Sequence, residues 1–338
     1  MPSQKNLRVV ITGQGEPEVL KIVEDEVPTP GPGEVRVKNL ASGVAYADVL
    51  MRHGLYPKIP AFPFAPGYDI VGDIDALGEG VQGLTVGQRV AALTMIGGYA
   101  QFTIVPAAHL VPVPANLDPA EAVSLVLNYV TAYQMMHRFV HLQPGQSLLV
   151  HGAAGGVGTA ALQLGKILGL KMFGTASKSK HLLVSSLGAT PIDYRSENFA
   201  ERIRQLSPGG VDCVLDPIGG THWLASYRCV RPKGTLICYG ASSAVAEGKL
   251  SAGLGFALLG FLKLIPDSKH ALWYNVKNLR DAHPNQFRED LGKLFELLGN
   301  RQIQPVIAVK LPLRQAAEAN RMLEQAQVTG KIVLLPQA

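Results

Sequence analysis

The chain opens with short apolar or alternating runs separated by glycine and proline. Residues 8–11, 34–40, 70–76, 89–93 and 100–105 read as strands, with Gly78, Gly80, Gly83 and Gly87 in the intervening turns. Such close spacing predicts an antiparallel, barrel-like unit. From residue 147 the period changes. Strand-like runs at 147–151, 171–175, 190–192, 211–215 and 234–239 alternate with helical patterns at 157–168, 199–206 and 223–230. A further helix starts after Ser177, read as its N-cap, and stops near Gly188. This alternation predicts βαβ units on a parallel sheet, and hence an α/β fold class. Residues 241–284 are partly apolar without a clean period. An amphipathic helix at 287–298, a strand at 303–309, a helix at 314–326 and a strand at 331–335 close the chain. There is no internal repeat.

Composition narrows this picture. At about 150 residues per domain, 338 residues imply two domains. With 47% hydrophobic and 17% charged residues, the chain can fill large cores and is not a disordered one. The net charge of +5 is spread without a dense basic run, so no nucleic-acid partner is expected. Cys213, Cys229 and Cys238 make neither a disulfide framework nor the paired spacing of a structural zinc lobe, and are expected to pack as small hydrophobes. His137 and His141 stand four apart without a third ligand. Residues 1–6 lack an apolar leader, and the longest apolar run, 252–262, falls short of the ~18 residues of a spanning helix. The expectation is a soluble cytoplasmic protein. Run 252–262 reads as a buried core or dimer-contact helix, because Lys263 has no basic cluster beside it to favour a bilayer surface.

One motif carries chemistry by itself. His151-Gly152-Ala153-Ala154-Gly155-Gly156-Val157-Gly158 lies between a strand and a helix. Small residues there let the backbone approach a pyrophosphate, and a helix N-terminus offers free N–H groups to its charge. Gly152, Gly155 and Gly158 form a GxxGxxG variant of the dinucleotide fingerprint. After the next strand, an acid would bind the ribose 2′-hydroxyl and select NAD. Here Gly174-Thr175-Ala176-Ser177-Lys178-Ser179-Lys180 contains none. Ser177 and Lys178, with Tyr194 after the third strand, are placed to hold a 2′-phosphate, so the expected cofactor is NADPH.

With these residues in view, the chain resembles the medium-chain dehydrogenase/reductases of the zinc-free quinone oxidoreductase type, over essentially its whole length. The resemblance rests on Gly31-Pro32-Gly33-Glu34-Val35, Ser42-Gly43-Val44 with Asp48, Arg52-His53-Gly54-Leu55-Tyr56-Pro57, Pro66-Gly67-Tyr68-Asp69, Leu77-Gly78-Glu79-Gly80-Val81, Gly87-Gln88-Arg89-Val90, Thr131-Ala132-Tyr133, the glycine loop and Gly330-Lys331-Ile332-Val333. It implies a GroES-like catalytic domain at 1–123 and 308–338, a Rossmann NADP-binding domain at 124–307, and a homodimer paired at sheet edges, with residues 234–239 as the edge. It also places Gly240 and Lys331 at the cofactor. Zinc-dependent relatives have metal ligands where this chain has Ala45, Tyr68 and Leu127, none of which is a usual zinc ligand. No metal is expected.

Without a metal to acidify an alcohol, the resemblance implies hydride delivery to an electron-poor acceptor, a quinone or another conjugated carbonyl. That attack creates an enolate or hydroquinone anion, which needs a nearby donor and then a proton. Tyr46 matches an aromatic position that is a tyrosine in some polyketide-synthase enoyl reductases. Tyr56 and Tyr68 stand in pocket-lining segments, where packing is an equal explanation. Thr131 resembles the residue touching nicotinamide, and Asn128 faces the same pocket. Tyr46, Tyr56 and Thr131 are the catalytic candidates; Tyr46, Tyr56, Tyr68 and Asn128 are the pocket candidates. Ala45 replaces the asparagine usual in the family. Asp48 is expected to be a structural hydrogen-bond partner. Two other readings stand beside the quinone reductase. One is an enoyl or enone reductase with residues 252–262 lining a long pocket. The other is a non-enzymatic nucleotide-binding or membrane-associated member.

Overall fold

In the computed structural model residues 5–338 are described, so most of the segment read for a leader lies outside them. Contacts divide the chain into one unit of Met1–Val130 with Lys277–Ala338, and a second of Thr131–Val276.

The first unit begins with β1 (Lys5–Ile11) and β2 (Leu20–Glu26), an antiparallel pair. The hydrophobic pattern misses β2 because five of its seven residues face outward; its backbone pairing with β1 holds it. Then come β3 (Glu34–Val44), helix α1 (Tyr46–Arg52), β4 (Asp69–Leu77), β5 (Arg89–Leu93), β6 (Phe102–Pro106) and β7 (Val111–Pro112). Alternation in β3 buries Val35 and Val37 against Ile70, Ile74, Val90, Val105 and Leu110.

The second unit holds β8 (Ser147–Val150), α2 (Gly156–Ile167), β9 (Lys171–Ala176), α3 (His181–Ser186), β10 (Ala189–Asp193), α4 (Phe199–Leu206), β11 (Val211–Asp216), α5 (His222–Cys229), β12 (Val230–Cys238), α6 (Ala244–Leu262) and β13 (His270–Trp273). Its six strands are all parallel, in the order β10-β9-β8-β11-β12-β13. The order reverses between β8 and β11. In open α/β sheets, ligands bind outside the carboxyl ends of strands at such a switch point.

The chain then returns to the first unit with α7 (Pro284–Gly299), β14 (Ile307–Pro312), α8 (Ala316–Glu324) and β15 (Lys331–Leu335). The sheet there runs β14-β15-β3-β4-β5-β7, with β6 also on β3. In this division residues 277–307 group with the first unit, where α7 packs on residues 125–129 and on β7.

Two sequence expectations are corrected here. Residues 234–239 are not a sheet edge, since β12 is paired on both sides and β13 takes the edge. The run 252–262 is not a buried core helix. It belongs to α6, whose Gly255, Leu259 and Leu262 pack near Trp223 and Tyr227 while its other side faces out. Leu250, Leu254, Phe261 and Leu264 are 77%, 62%, 61% and 79% exposed and lie along one stripe. By length and composition α6 is apolar enough to span a membrane. Gly248, at φ 81° and ψ 178°, breaks it, so the uninterrupted residues 249–262 reach only ~21 Å at ~1.5 Å per residue. A bilayer core is ~30 Å thick.

Candidate active site

The glycine loop joins β8 to α2 at the switch point. Gly152 adopts φ +63°, which a side chain disfavours. The Ala153 N–H donates to the Thr175 carbonyl at 3.0 Å, tying the loop to the end of β9. Gly155 is the N-cap of α2, and no side chain caps this helix. Gly156, Val157 and Gly158 form its first turn, where backbone N–H groups lack intrahelical acceptors. A Cβ on Gly158 would overlap the Gly152 carbonyl, so the third glycine lets loop and helix close up. Ala154 is buried in the loop that leads into this helix. Gly240, beyond β12, lies so near Pro217 that a Cβ would stand 2.7 Å from the Pro217 carbonyl oxygen. The loop is shaped for close backbone contact with a phosphate.

Beyond β9, Ser177 precedes a 3-10 turn, Lys178–Lys180, before α3 begins. It makes no side-chain cap, contrary to the sequence reading; its hydroxyl lies 3.4 Å from that of Ser179. Lys178 and Tyr194 are exposed. The Arg195 guanidinium stands 5.8 Å over the Tyr194 ring. Burial, and then the charge of Arg195, push the Lys180 ammonium below its usual range. Lys180 and Arg195 therefore join Lys178 in a positive edge. The sequence reading counted Lys180 in the segment but gave it no role, and it missed Arg195, which follows Tyr194.

At the carboxyl ends of β8 and β11 a buried network joins His151, Asp216, His222 and Ser226. Ser226 Oγ donates to Asp216 Oδ2 at 2.6 Å and lies 3.0 Å from His151 Nε2. His222 Nδ1 is 2.7 Å from Asp216 Oδ2, and His151 Nδ1 is 3.0 Å from Thr175 Oγ1. Burial, and the charge of His222, hold the His151 imidazole down at about 3, so it is neutral. Asp216 is lowered: burial opposes ionisation, but the bonds from His222 and Ser226 and the nearby imidazoles outweigh it. The ligand atoms are close enough for a metal ion. Protons alone satisfy them, however, and none is among the described buried polar atoms without a partner. The network braces the strand ends under the glycine loop.

In the first unit, α1 begins at Tyr46. Asp48 takes the Ala45 N–H at 2.9 Å, the Gly67 N–H at 3.1 Å and the Tyr99 hydroxyl at 3.0 Å, as a structural partner does. Burial still pushes its carboxyl up to about 6. Tyr46 lies near Arg52 and Glu324, which pair with each other. Burial, with the field of Glu324, raises its phenol to about 12, so it is a donor at neutral pH. Tyr56 and Tyr68 are brought together: their hydroxyls are 2.8 Å apart and their rings cross at 75°. Burial raises both phenols above the usual range. Asn128 and Thr131 are buried on the helical stretch that ends the first unit and begins the second. Lys331 is buried with its ammonium 2.9 Å from the buried Asp69 carboxylate. That ion pair engages the group the sequence assigned to the cofactor. The three cysteines are buried, and burial raises their thiols.

Comparison with known proteins agrees with this geometry. Residues 31–115 match the alcohol dehydrogenase GroES-like domain model, and residues 187–334 match the zinc-binding dehydrogenase model. The synaptic vesicle membrane protein VAT-1 homolog of Danio rerio is 36% identical over 96% of this chain and 69% of its own. The 2-haloacrylate reductase of a Burkholderia species is 33% identical over 98% of this chain and 99% of its own. The Escherichia coli quinone oxidoreductase complexed with NADPH superposes with a TM-score of 0.89 at 28% identity, over 98% of this chain and 100% of that one. A GroES-like unit, a Rossmann sheet with its glycine loop, and full-length similarity to such reductases lead to one assignment: the chain belongs to the zinc-free, quinone oxidoreductase-like branch of the medium-chain dehydrogenase/reductase family of oxidoreductases.

Proposed function

We propose that this protein is an NADPH-dependent reductase that transfers hydride to a quinone or another conjugated carbonyl. The carrying observation is the glycine cradle beside the segment 174–180, which holds no acid, with Lys178, Lys180 and Arg195 supplying positive charge at the same strand ends. The loop from Gly152 to Gly158, with Gly240, would hold the pyrophosphate and its ribose. Ser177, Lys178 and Tyr194 would hold the 2′-phosphate, with Lys180 and Arg195 adding charge. NADPH, when bound, supplies the hydride. Thr131 positions the nicotinamide. Tyr46, Tyr56, Tyr68 and Asn128 line the acceptor side, and a protonated phenol meets the oxygen that gains charge. The Escherichia coli enzyme, solved with NADPH, supports the cofactor. The 2-haloacrylate reductase supports a conjugated acceptor.

The test is the ratio of NADPH to NADH efficiency with 9,10-phenanthrenequinone, in wild type and Lys178→Ala. A strong NADPH preference reduced by the substitution is expected, and equal use of both by wild type would sink the assignment. Assays with 2-alkenals beside 1,4-benzoquinones separate the alternative, an enoyl or enone reductase. A homodimer joined at β13 belongs to this reading, and light scattering showing a monomer at micromolar concentration would refute it.

The exposed stripe of α6 favours a second reading, a member that lies on a membrane surface. The VAT-1 homolog is named as a vesicle membrane protein. Co-sedimentation with phosphatidylcholine–phosphatidylserine vesicles, lost on Phe256→Ser/Phe261→Ser, would establish it. No retention would leave a soluble cytoplasmic reductase.

A further inference from the structure

The paired phenols carry more than a shared place in the first unit. Tyr68 is clamped through its backbone: its carbonyl accepts the Thr94 N–H at 2.9 Å and the Met95 N–H at 3.1 Å. Its neighbour Gly67 is held by Asp48 and by the Thr94 hydroxyl. The ring is buried, and among the described residues its hydroxyl has one hydrogen-bond partner, Tyr56. Tyr56 is only half-buried.

This asymmetry decides who donates. A hydroxyl carries one proton and two lone pairs. If Tyr56 donated, the Tyr68 proton would be left unmatched in a buried site, which costs about 1–3 kcal/mol. If Tyr68 donates, the enclosed proton is matched and the Tyr56 proton is free on the open side. We propose that Tyr68 is a positioning residue: its hydroxyl donates to the Tyr56 oxygen, aims the Tyr56 proton at the acceptor, and stabilises the Tyr56 phenolate once that proton has gone. The inference rests on the proposed reductase function.

NADPH, when bound, would supply the hydride, and the reduced acceptor would carry the charge as an oxyanion or enolate. The Tyr56 O–H bond breaks and its proton neutralises that anion. The Tyr56 phenolate, held by the Tyr68 hydroxyl, recovers a proton from water. Asp48 and Arg280 are the charged groups whose fields reach the pair, Asp48 on both phenols and Arg280 on Tyr68.

The test is steady-state kinetics at saturating NADPH across pH for Tyr56→Phe, Tyr68→Phe and the double variant. Tyr56→Phe is expected to lower kcat by about 100-fold, the lower end for a lost general acid. Tyr68→Phe is expected to lower kcat about tenfold with KM within twofold, and to move the basic limb of the kcat profile upward. The double variant is expected to be no worse than Tyr56→Phe, because Tyr68 acts through Tyr56. If Tyr68→Phe does not fold, 3,5-difluorotyrosine at position 68 keeps the ring and strengthens the donor, and the basic limb should then move downward. An impaired Tyr56→Phe beside an unmoved limb in the position-68 variants overturns the positioning role and leaves the Tyr56 role standing. Independent losses that multiply in the double variant overturn it too. A fully active Tyr56→Phe overturns the reading of Tyr56 itself, and Tyr68 with it.

Discussion

Lys331 and Asp69 form a fully enclosed ion pair in the first unit, on β15 and at the start of β4. Removing one partner of such a pair leaves an uncompensated buried charge, at about 3–5 kcal/mol. Lys331→Ala should therefore lower the urea-unfolding free energy by that much, and Asp69→Leu/Lys331→Met should recover most of it. A loss under about 1 kcal/mol would return Lys331 to the cofactor role that its motif implied. Motif position alone does not decide between these roles, because the same ammonium serves either. The carboxylate that meets it is 262 residues away in sequence. Tyr68 shows the same limit. Its segment marked it as a pocket residue, but only its burial and its single partner separate a donor from a packed ring.

At the scale of elements, the glycine loop was legible because strand, small residues and helix follow one another without tertiary help. Gly158→Ala should abolish measurable NADPH binding in a fluorescence titration, since its Cβ would overlap the Gly152 carbonyl. The positive edge was half legible. Lys180 and Arg195 sit after different strands, β9 and β10, which their parallel pairing makes neighbours. A charge-assisted hydrogen bond contributes about 1.5–3 kcal/mol, a factor of roughly 10–100. Lys180→Ala/Arg195→Ala should reduce the NADPH-to-NADH efficiency ratio by at least about tenfold while sparing NADH use. Helix α6 was legible only in part: residues 252–262 read as a helix, but its start at Ala244 did not. Its glycines at 248, 253, 255 and 260 and its apolar residues on every side erase the helical period. Its burial was misjudged for a related reason: hydrophobicity does not say which side finds a partner.

At the scale of the whole molecule, two buried groups set opposing pH slopes. The Asp48 carboxyl is raised by burial to about 6 in the folded protein, from an ordinary value near 4. The folded state therefore holds the extra proton between these values. The resulting stability is present below about pH 4 and is lost as pH rises through 6. The His151 imidazole is depressed to about 3, so there the unfolded state holds the extra proton. Its contribution is present above the ordinary histidine value near 6.5 and is lost on acidification toward 3. Between pH 7 and 4, Asp48 should add roughly 2 kcal/mol and His151 remove roughly 3 kcal/mol. Asp48→Asn should therefore lose stability more steeply than wild type on acidification, and His151→Gln less steeply. Chemical denaturation at several pH values compares these slopes. Parallel slopes in all three proteins would show that neither group titrates as its burial requires.

The sequence by itself determined the α/β class, the alternating sheet of the second unit and the glycine loop. Each depends on residues close together in the chain. Only the tertiary structure decided that β13 and not β12 forms the sheet edge, that residues 277–307 belong with the first unit, and that α6 shows solvent an apolar stripe. It alone paired Lys331 with Asp69 and Tyr68 with Tyr56. Those facts depend on which groups meet across the fold and which water no longer reaches. Burial, more than residue type, sets whether a lysine is an anchor or a ligand and which of two phenols keeps its proton free.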